Sequence, residues 1–98
     1  MPDITSAELK QRQQAGETLH ILDVRETWEN AESSIPGAQN IPLNDLPGKL
    51  DELEQLKDQE VIVHCKGGSR SASAKAFLTQ QGFRNVRNLL GGIVAFNS

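Results

Sequence analysis

The residue with the clearest chemical potential in this sequence is Cys65, the single cysteine of the chain. It follows a β-branched run, Val61–Val63, that predicts a buried strand, and two glycines and a helix-like segment come after it. Open α/β sheets place their ligands where the carboxyl end of a strand meets the amino end of a helix. A lone cysteine is more often a small apolar core residue, so the functional interpretation depends on this neighbourhood.

Several features around Cys65 favour the thiolate over the thiol. Gly67 and Gly68 permit backbone geometries that turn several N–H groups toward one point. The amino end of the following helix adds a partial positive charge, and Lys66 and Arg70 add two full charges. Since the thiolate is the nucleophile, the sequence predicts that Cys65 is reactive and that its pKa lies below that of a free cysteine.

The two histidines are weaker candidates for chemistry. Successive side chains of a strand point to opposite faces, so His64 is not expected to act as a base for the adjacent Cys65. His20 interrupts an apolar run and is better explained as a strand-end residue. One cysteine and two histidines form no ligand cluster of known spacing. The sequence therefore predicts neither a metal nor a cofactor.

Length and composition indicate one compact domain over residues 1–98. The net charge of −3 argues weakly against nucleic acid as the main partner. No apolar run of roughly 18 residues could span a bilayer, and the first residues lack the features of a secretory signal. A single cysteine forms no internal disulfide, which fits a reducing cytosol. We expect a cytoplasmic monomer that binds neither nucleic acid nor membrane.

Helices and short strands alternate along the chain, which predicts a parallel sheet covered on both faces. The predicted strands are Leu19–Val24, Gln39–Ile41, Val61–Cys65 and Val86–Leu90. Thr5 and Glu8 have the spacing of a capping box, which predicts a helix from the N-cap Thr5 to about Gln14. Further helices are predicted along the apolar face Leu46, Leu50, Leu53 and Leu56, from Ser71 to Gln81, and in a last turn through Phe96. The polar residues 26–34 predict a short helix and a loop.

Five segments, taken in order and with their spacing, carry a resemblance to a known family. They are Leu22–Glu26, Ile35–Ala38 leading into Asn40–Leu43, His64–Ser71, Gly82-Phe83, and Asn88-Leu89 followed by Gly91–Ile93. On these segments the chain resembles a single-domain rhodanese, a thiosulfate sulfurtransferase-like protein, over nearly its whole length. The resemblance implies an α/β, rhodanese-like fold with a central parallel β-sheet of about five strands, flanked by helices on both faces.

The resemblance also implies an activity. Cys65 matches the cysteine that takes a sulfane sulfur from thiosulfate or another persulfide donor, holds it as a persulfide and passes it to a thiol or other nucleophilic acceptor. The implied substrate-binding residues form the loop that cradles the outer sulfur: Lys66, Gly67, Gly68, Ser69 and Arg70. Asp23 and Arg25 match positions that tie the fold together near the site. The donor could be thiosulfate, a small-molecule persulfide or a protein persulfide, and the acceptor is likewise open.

Two other functions stay open at this stage. Cysteine-dependent phosphatases also use a cysteine, an anion-binding loop and an arginine, but five residues separate the two in their loops. Cys65 and Arg70 enclose only four residues, a narrower cradle that suits a single sulfur better than a tetrahedral phosphate. The other alternative is a non-catalytic binding or regulatory module of the same fold. Such modules usually lose the cysteine, which this chain retains.

Overall fold

A wholly parallel four-stranded sheet forms the centre of the computed structural model, which describes residues 2–98. Its strands, in the spatial order β2-β1-β3-β4, are β1 (Ile21–Asp23), β2 (Ala38–Asn40), β3 (Glu60–His64) and β4 (Asn85–Asn88). Beyond β4, Ile4 forms an isolated parallel bridge with Leu89. The sheet confirms the predicted α/β fold, with four strands where the family resemblance implied about five.

Helices cover both faces of this sheet. They are α1 (Ser6–Gln14), α2 (Thr27–Glu32), α3 (Leu50–Leu53), α4 (Ser69–Gln80) and α5 (Gly92–Phe96). Buried residues of α1 and α5, Leu9 and Ile93, pack on one face of the sheet, and buried residues of α3 and α4 pack on the other. Among residues 2–98, no helix is both long enough and apolar enough to cross a membrane.

Successive side chains of β3 pack on opposite faces of the sheet. Val61 and Val63 belong to one hydrophobic cluster, whereas Ile62 belongs to the other. This alternation follows from the two-residue period of a strand. All three side chains are fully buried, because a central parallel strand is covered by helices on both sides. Cys65 continues the Val61–Val63 face and is itself part of that cluster.

The segment 43–56 differs from its prediction. A single helix was expected, but the chain forms a 3₁₀-helix (Leu43–Lys49), then α3, then a second 3₁₀-helix (Glu54–Leu56). Pro47 lacks a backbone N–H, and Gly48 has a low helix propensity, so a continuous α-helix is unfavourable there. The apolar face nevertheless points inward as predicted: Leu46, Leu53 and Leu56 are buried and Leu50 is partly buried.

The amino end of α1 follows its prediction in part. Thr5 is the N-cap, and its side-chain oxygen accepts a hydrogen bond from the backbone N–H of Glu8 at 3.1 Å. The Glu8 carboxylate instead accepts hydrogen bonds from Arg87 on β4, at 3.1 and 3.3 Å. Arg87 also binds Glu60 on β3. A helix-capping residue in the sequence thus serves to join α1 to the sheet.

A buried ion pair joins β1 to α2. Arg25 donates to both carboxylate oxygens of Asp23, at 2.9 and 2.7 Å, and to the carbonyl of Ser33 at 2.6 Å. Asp23 is wholly buried, and Asn30 donates to it at 3.0 Å. Burial by itself raises the pKa of Asp23, but the hydrogen bonds from Arg25 and Asn30 outweigh it and leave the pKa below its usual value. The pair has the structural role that the resemblance implied.

We predict that Arg25→Ala lowers the free energy of unfolding by about 3–5 kcal/mol at pH 7, because it leaves the Asp23 carboxylate buried without its partner. Asp23 has a lowered pKa in the folded protein, so its charged form stabilises the wild type. The difference in free energy of unfolding between the wild type and Arg25→Ala should be fully present above the unfolded pKa of ~3.9, and it should disappear as the pH falls through the folded pKa. Urea unfolding at several pH values measures this.

Arg84→Ala is the matched control, because the Arg84–Asp58 pair is exposed to solvent. It should change the free energy of unfolding by no more than about 0.5 kcal/mol. Equal losses for the two variants would show that the buried pair has no special role.

Candidate active site

The loop after β3 places Cys65 at the carboxyl end of the sheet, as the sequence predicted. Cys65 follows His64, the last residue of β3, and α4 begins at Ser69. The cysteine is only 1% exposed, while Lys66, Gly67 and Ser69 are exposed around it. The five residues predicted to form the cradle are thus the three loop residues after Cys65 and the first two residues of α4.

Short contacts surround the Cys65 sulfur. The backbone N–H of Gly68 donates to Sγ at 3.0 Å, and the Ser71 hydroxyl oxygen lies 3.3 Å from it. Burial raises the pKa of Cys65, but hydrogen bonds from the Ser71 hydroxyl and from the backbone N–H groups of Ser71, Gly68 and Arg70 outweigh it. The net effect is a lowered pKa. The predicted direction agrees, and the backbone N–H donors that the sequence suggested contribute to it together with the Ser71 hydroxyl, which was not predicted.

The amino end of α5 holds the loop in shape. The backbone N–H of Ile93 donates to the Cys65 carbonyl at 3.0 Å, and that of Val94 donates to the Lys66 carbonyl at 3.2 Å. In a trans peptide group the C=O and N–H bonds point in opposite directions. Holding these two carbonyls against α5 therefore directs the N–H groups of Lys66 and Gly67 away from α5.

Gly92 makes this close approach possible. Its φ of +60° lies in the left-handed region that side chains disfavour. A Cβ at this position would collide with the Lys66 carbonyl oxygen and lie 2.6 Å from that of Cys65. The sequence analysis included Gly92 in a motif but gave it no function. Its part in the site is to let α5 reach the loop.

Arg70 is engaged with a residue that the sequence analysis missed. Its two terminal nitrogens bind the carboxylate of Glu29 on α2, at 2.6 and 3.0 Å. The pKa of Glu29 falls to about 2, chiefly because of this hydrogen-bonded arginine. The charge of Arg70 is thus compensated locally, whereas Lys66 lies exposed at the loop. A direct contact between Arg70 and a substrate stays a prediction.

Ser71 and Asn88 are two further site residues without an assigned role in the sequence analysis. Ser71 follows directly after the predicted cradle, so its position was the only available signal. Asn88 lies at the end of β4 and donates from its amide to the Gly68 carbonyl at 3.1 Å. Its proximity to Cys65 follows from the pairing of β3 with β4, which no local pattern reveals.

His64 does not contact the reactive sulfur. Its ring is fully buried, with Nδ1 3.3 Å from the Cys65 carbonyl and Nε2 3.9 Å from the Asp23 carboxylate. Burial lowers the pKa of His64 and keeps the ring neutral at pH 7. This arrangement agrees with the expectation that His64 is no base for Cys65. Within residues 2–98, no group of three or more His, Cys, Asp or Glu side chains could hold a metal ion.

A cleft of about 370 Å³ opens beside the loop, between α2 and α5. Lys66 belongs to its lining, together with the exposed apolar side chains Trp28 and Val94 and the acidic Glu29 and Glu32. A molecule in this cleft would lie next to the Cys65 loop. The loop therefore has a buried part, around the sulfur, and an exposed part, Lys66, at the edge of the cleft.

We predict that Gly92→Ala raises the pH midpoint of Cys65 alkylation by iodoacetamide and lowers the free energy of unfolding by about 1–3 kcal/mol. The added methyl group displaces α5 from the two carbonyls, so the loop donors lose their orientation. Gly48→Ala is the control, since a Cβ there meets no atom within 4 Å. An unchanged midpoint in Gly92→Ala would contradict the role given to α5.

Comparisons with known proteins identify the family of this chain. The model of the rhodanese-like domain family matches residues 5–98. A putative sulfurtransferase of Bacillus subtilis, YtwF, is 40% identical over 94 residues, covering 96% of this chain and 88% of the relative. A sulfurtransferase of Allochromatium vinosum is 38% identical, with 96% and 86% covered. The crystal structure of a rhodanese-like domain protein from Staphylococcus aureus superposes with a TM-score of 0.85 at 34% identity, covering 98% of this chain and 91% of that one. The chain belongs to the rhodanese-like domain family.

Proposed function

We propose that the protein is a sulfurtransferase that carries a sulfane sulfur on Cys65 as a persulfide. The observation that carries this proposal is the buried Cys65 sulfur, which accepts a backbone hydrogen bond from Gly68 at 3.0 Å and lies 3.3 Å from the Ser71 hydroxyl. These donors favour a thiolate at the carboxyl end of β3. Relatives named as sulfurtransferases, with 38–40% identity over nearly the whole chain, support the same activity.

The first half-reaction loads the cysteine. The Cys65 thiolate attacks the outer sulfur of the donor, and a bond forms between Sγ and that sulfur. The bond between the outer sulfur and the rest of the donor breaks, and the leaving group keeps the electron pair, as sulfite from thiosulfate or as a thiolate from a persulfide. The outer sulfur then bears negative charge, and the proposal assigns its stabilisation to the backbone N–H groups of residues 66–70.

The second half-reaction removes the outer sulfur from Cys65. An acceptor thiolate, or another nucleophile, attacks the outer sulfur of the persulfide. The bond from Cys65 to that sulfur breaks, and its electron pair returns to Sγ, which restores the thiolate. The cleft beside Lys66 gives the acceptor a path to the loop. Because the covalent intermediate separates the two steps, the proposed mechanism predicts ping-pong kinetics.

The loop length argues against phosphate chemistry at the same cysteine. Four residues separate Cys65 from Arg70, and Arg70 is paired with Glu29 rather than directed at an open anion site. A phosphoryl group needs donors for three peripheral oxygens in the transition state. The short loop and the compensated arginine support a cradle for a single sulfur.

We predict that Cys65→Ser abolishes sulfur transfer from thiosulfate to cyanide, because the serine hydroxyl stays protonated at neutral pH and forms no persulfide. Mass spectrometry should show one added sulfur atom on the wild type after incubation with donor and none on the variant. A circular-dichroism melt of the variant confirms that it is folded. Substantial turnover by the folded variant would disprove the covalent mechanism.

We predict that Glu29→Gln lowers the KM for thiosulfate about threefold to tenfold at low ionic strength, because it removes the carboxylate that compensates Arg70 beside the loop. The gain should shrink at high salt, since the partly exposed arginine is screened. Initial rates against thiosulfate concentration at two salt concentrations measure this.

Glu32→Gln is the control for net charge alone, because Glu32 lines the same cleft. Arg70→Ala should shift the KM in the opposite direction to Glu29→Gln. If Glu29→Gln and Arg70→Ala both raise the KM alike, Glu29 serves to orient Arg70 rather than to compensate its charge.

A further inference from the structure

The Ser71 hydroxyl lies within hydrogen-bond distance of three acceptors but can donate to only one at a time. Ser71 is fully buried, and its Oγ lies 2.6 Å from the side-chain oxygen of Asn88, 3.1 Å from the Gly68 carbonyl and 3.3 Å from the Cys65 sulfur. A hydroxyl group has one hydrogen and donates to one acceptor at a time. The hydroxyl therefore donates to one of three acceptors. Which one it donates to depends on the charge of the sulfur, because a thiolate is a stronger acceptor than a neutral sulfur.

Asn88 is held so that its oxygen faces Ser71. Its side-chain amide donates to the Gly68 carbonyl at 3.1 Å, which directs the other half of the amide, the oxygen, toward the serine. Its backbone N–H donates to the Asp3 carboxylate at 3.0 Å. Asn88 is 7% exposed, so water competes little for these contacts. The serine hydrogen thus has a fixed resting acceptor whenever the sulfur bears no charge.

We propose that Ser71 moves its single hydrogen bond between Asn88 and the Cys65 sulfur in step with the sulfur cycle, and that this hydrogen bond acts chiefly when sulfur leaves Cys65. The inference rests on the proposed sulfurtransferase function. Ser71 touches the reacting sulfur and is a catalytic residue in this scheme, whereas Asn88 is a positioning residue.

The steps are as follows. In the free thiolate, the Ser71 hydroxyl donates to Sγ. In the persulfide, Sγ is a neutral sulfur bonded to another sulfur and is a weak acceptor, so the hydroxyl rotates to the Asn88 oxygen. When an acceptor attacks the outer sulfur, the S–S bond breaks and its electron pair returns to Sγ. The hydroxyl then rotates back and stabilises the departing thiolate. Ser71 keeps its proton throughout.

This hydrogen bond should affect the two half-reactions differently. A hydrogen bond that stabilises the thiolate makes Cys65 a better leaving group but a weaker nucleophile for each thiolate present. Loss of the hydroxyl should therefore slow the unloading step, while loading by a fully ionised cysteine is unchanged or faster. A residue with only a structural role would slow both steps together.

The test uses Ser71→Ala, with Ser73→Ala as the matched control on the exposed side of the same helix. Rapid mixing and mass spectrometry follow persulfide formation from thiosulfate, and separately persulfide loss to cyanide, across a pH series. We expect unloading about tenfold slower in Ser71→Ala, loading at high pH no slower than in the wild type, and an alkylation midpoint at higher pH. Equal slowing of both steps, or of neither, would overturn the proposal.

Asn88→Asp tests the positioning role with a side chain of nearly the same size. The carboxylate is a stronger acceptor and retains the Ser71 hydrogen, so unloading should slow in this variant as well. The same substitution is made in the Ser71→Ala background, where no serine hydroxyl can be retained by the new carboxylate. An effect on unloading that remains there comes from the new charge acting directly on the sulfur. A much smaller effect there supports the proposal, and an equal effect in both backgrounds overturns the role of Asn88.

The two proposals fail in different ways. A wild-type protein that gains no sulfur from thiosulfate or from a small-molecule persulfide overturns the sulfurtransferase proposal and this inference with it. A wild-type protein that loads and unloads normally, beside a folded Ser71→Ala variant with the same unloading rate and the same alkylation midpoint, overturns only the inference about Ser71.

Discussion

Two backbone hydrogen bonds from the amino end of α5 to the carbonyls of Cys65 and Lys66 determine the shape of the reactive loop. Peptide groups are rigid and planar, so fixing a carbonyl also fixes the direction of the next N–H. The contact is backbone to backbone, and Gly92 is the residue that lets the two segments come so close. The loop is therefore oriented by a helix that follows it by more than 20 residues in the sequence.

The electrostatics of Cys65 follow from that geometry. Burial disfavours a thiolate, and only donors already in place can reverse this effect. The donors here are a hydroxyl and backbone N–H groups, while the nearby Arg70 is compensated by Glu29. Interactions of buried dipoles are screened little by salt. The pKa of Cys65 is thus lowered chiefly by the loop and by Ser71, whose donors lie next to the sulfur.

The sequence predicted the features of this site that depend on neighbouring residues. The strand, the two glycines and Cys65 are adjacent in the chain, and alternation along β3 correctly separated His64 from the sulfur. Partners brought in by the strand order were not predictable, because Glu29 and Asn88 belong to other elements. The continuous helix expected over 46–56 was wrong for a local reason. Pro47 interrupts the helical hydrogen bonds of the backbone without changing which leucines face the core, so the leucine spacing alone does not reveal the break.

The helix α2 connects the buried Asp23–Arg25 pair to the edge of the site. Arg25 holds its carboxyl-terminal end through the Glu29 and Ser33 carbonyls, and Asp23 holds Arg25. The same helix carries Glu29, which binds Arg70, and Trp28, which is 64% exposed beside the cleft. Side chains on the solvent face of α2 can therefore vary without disturbing Cys65, because the donors to the sulfur come from the loop and α4.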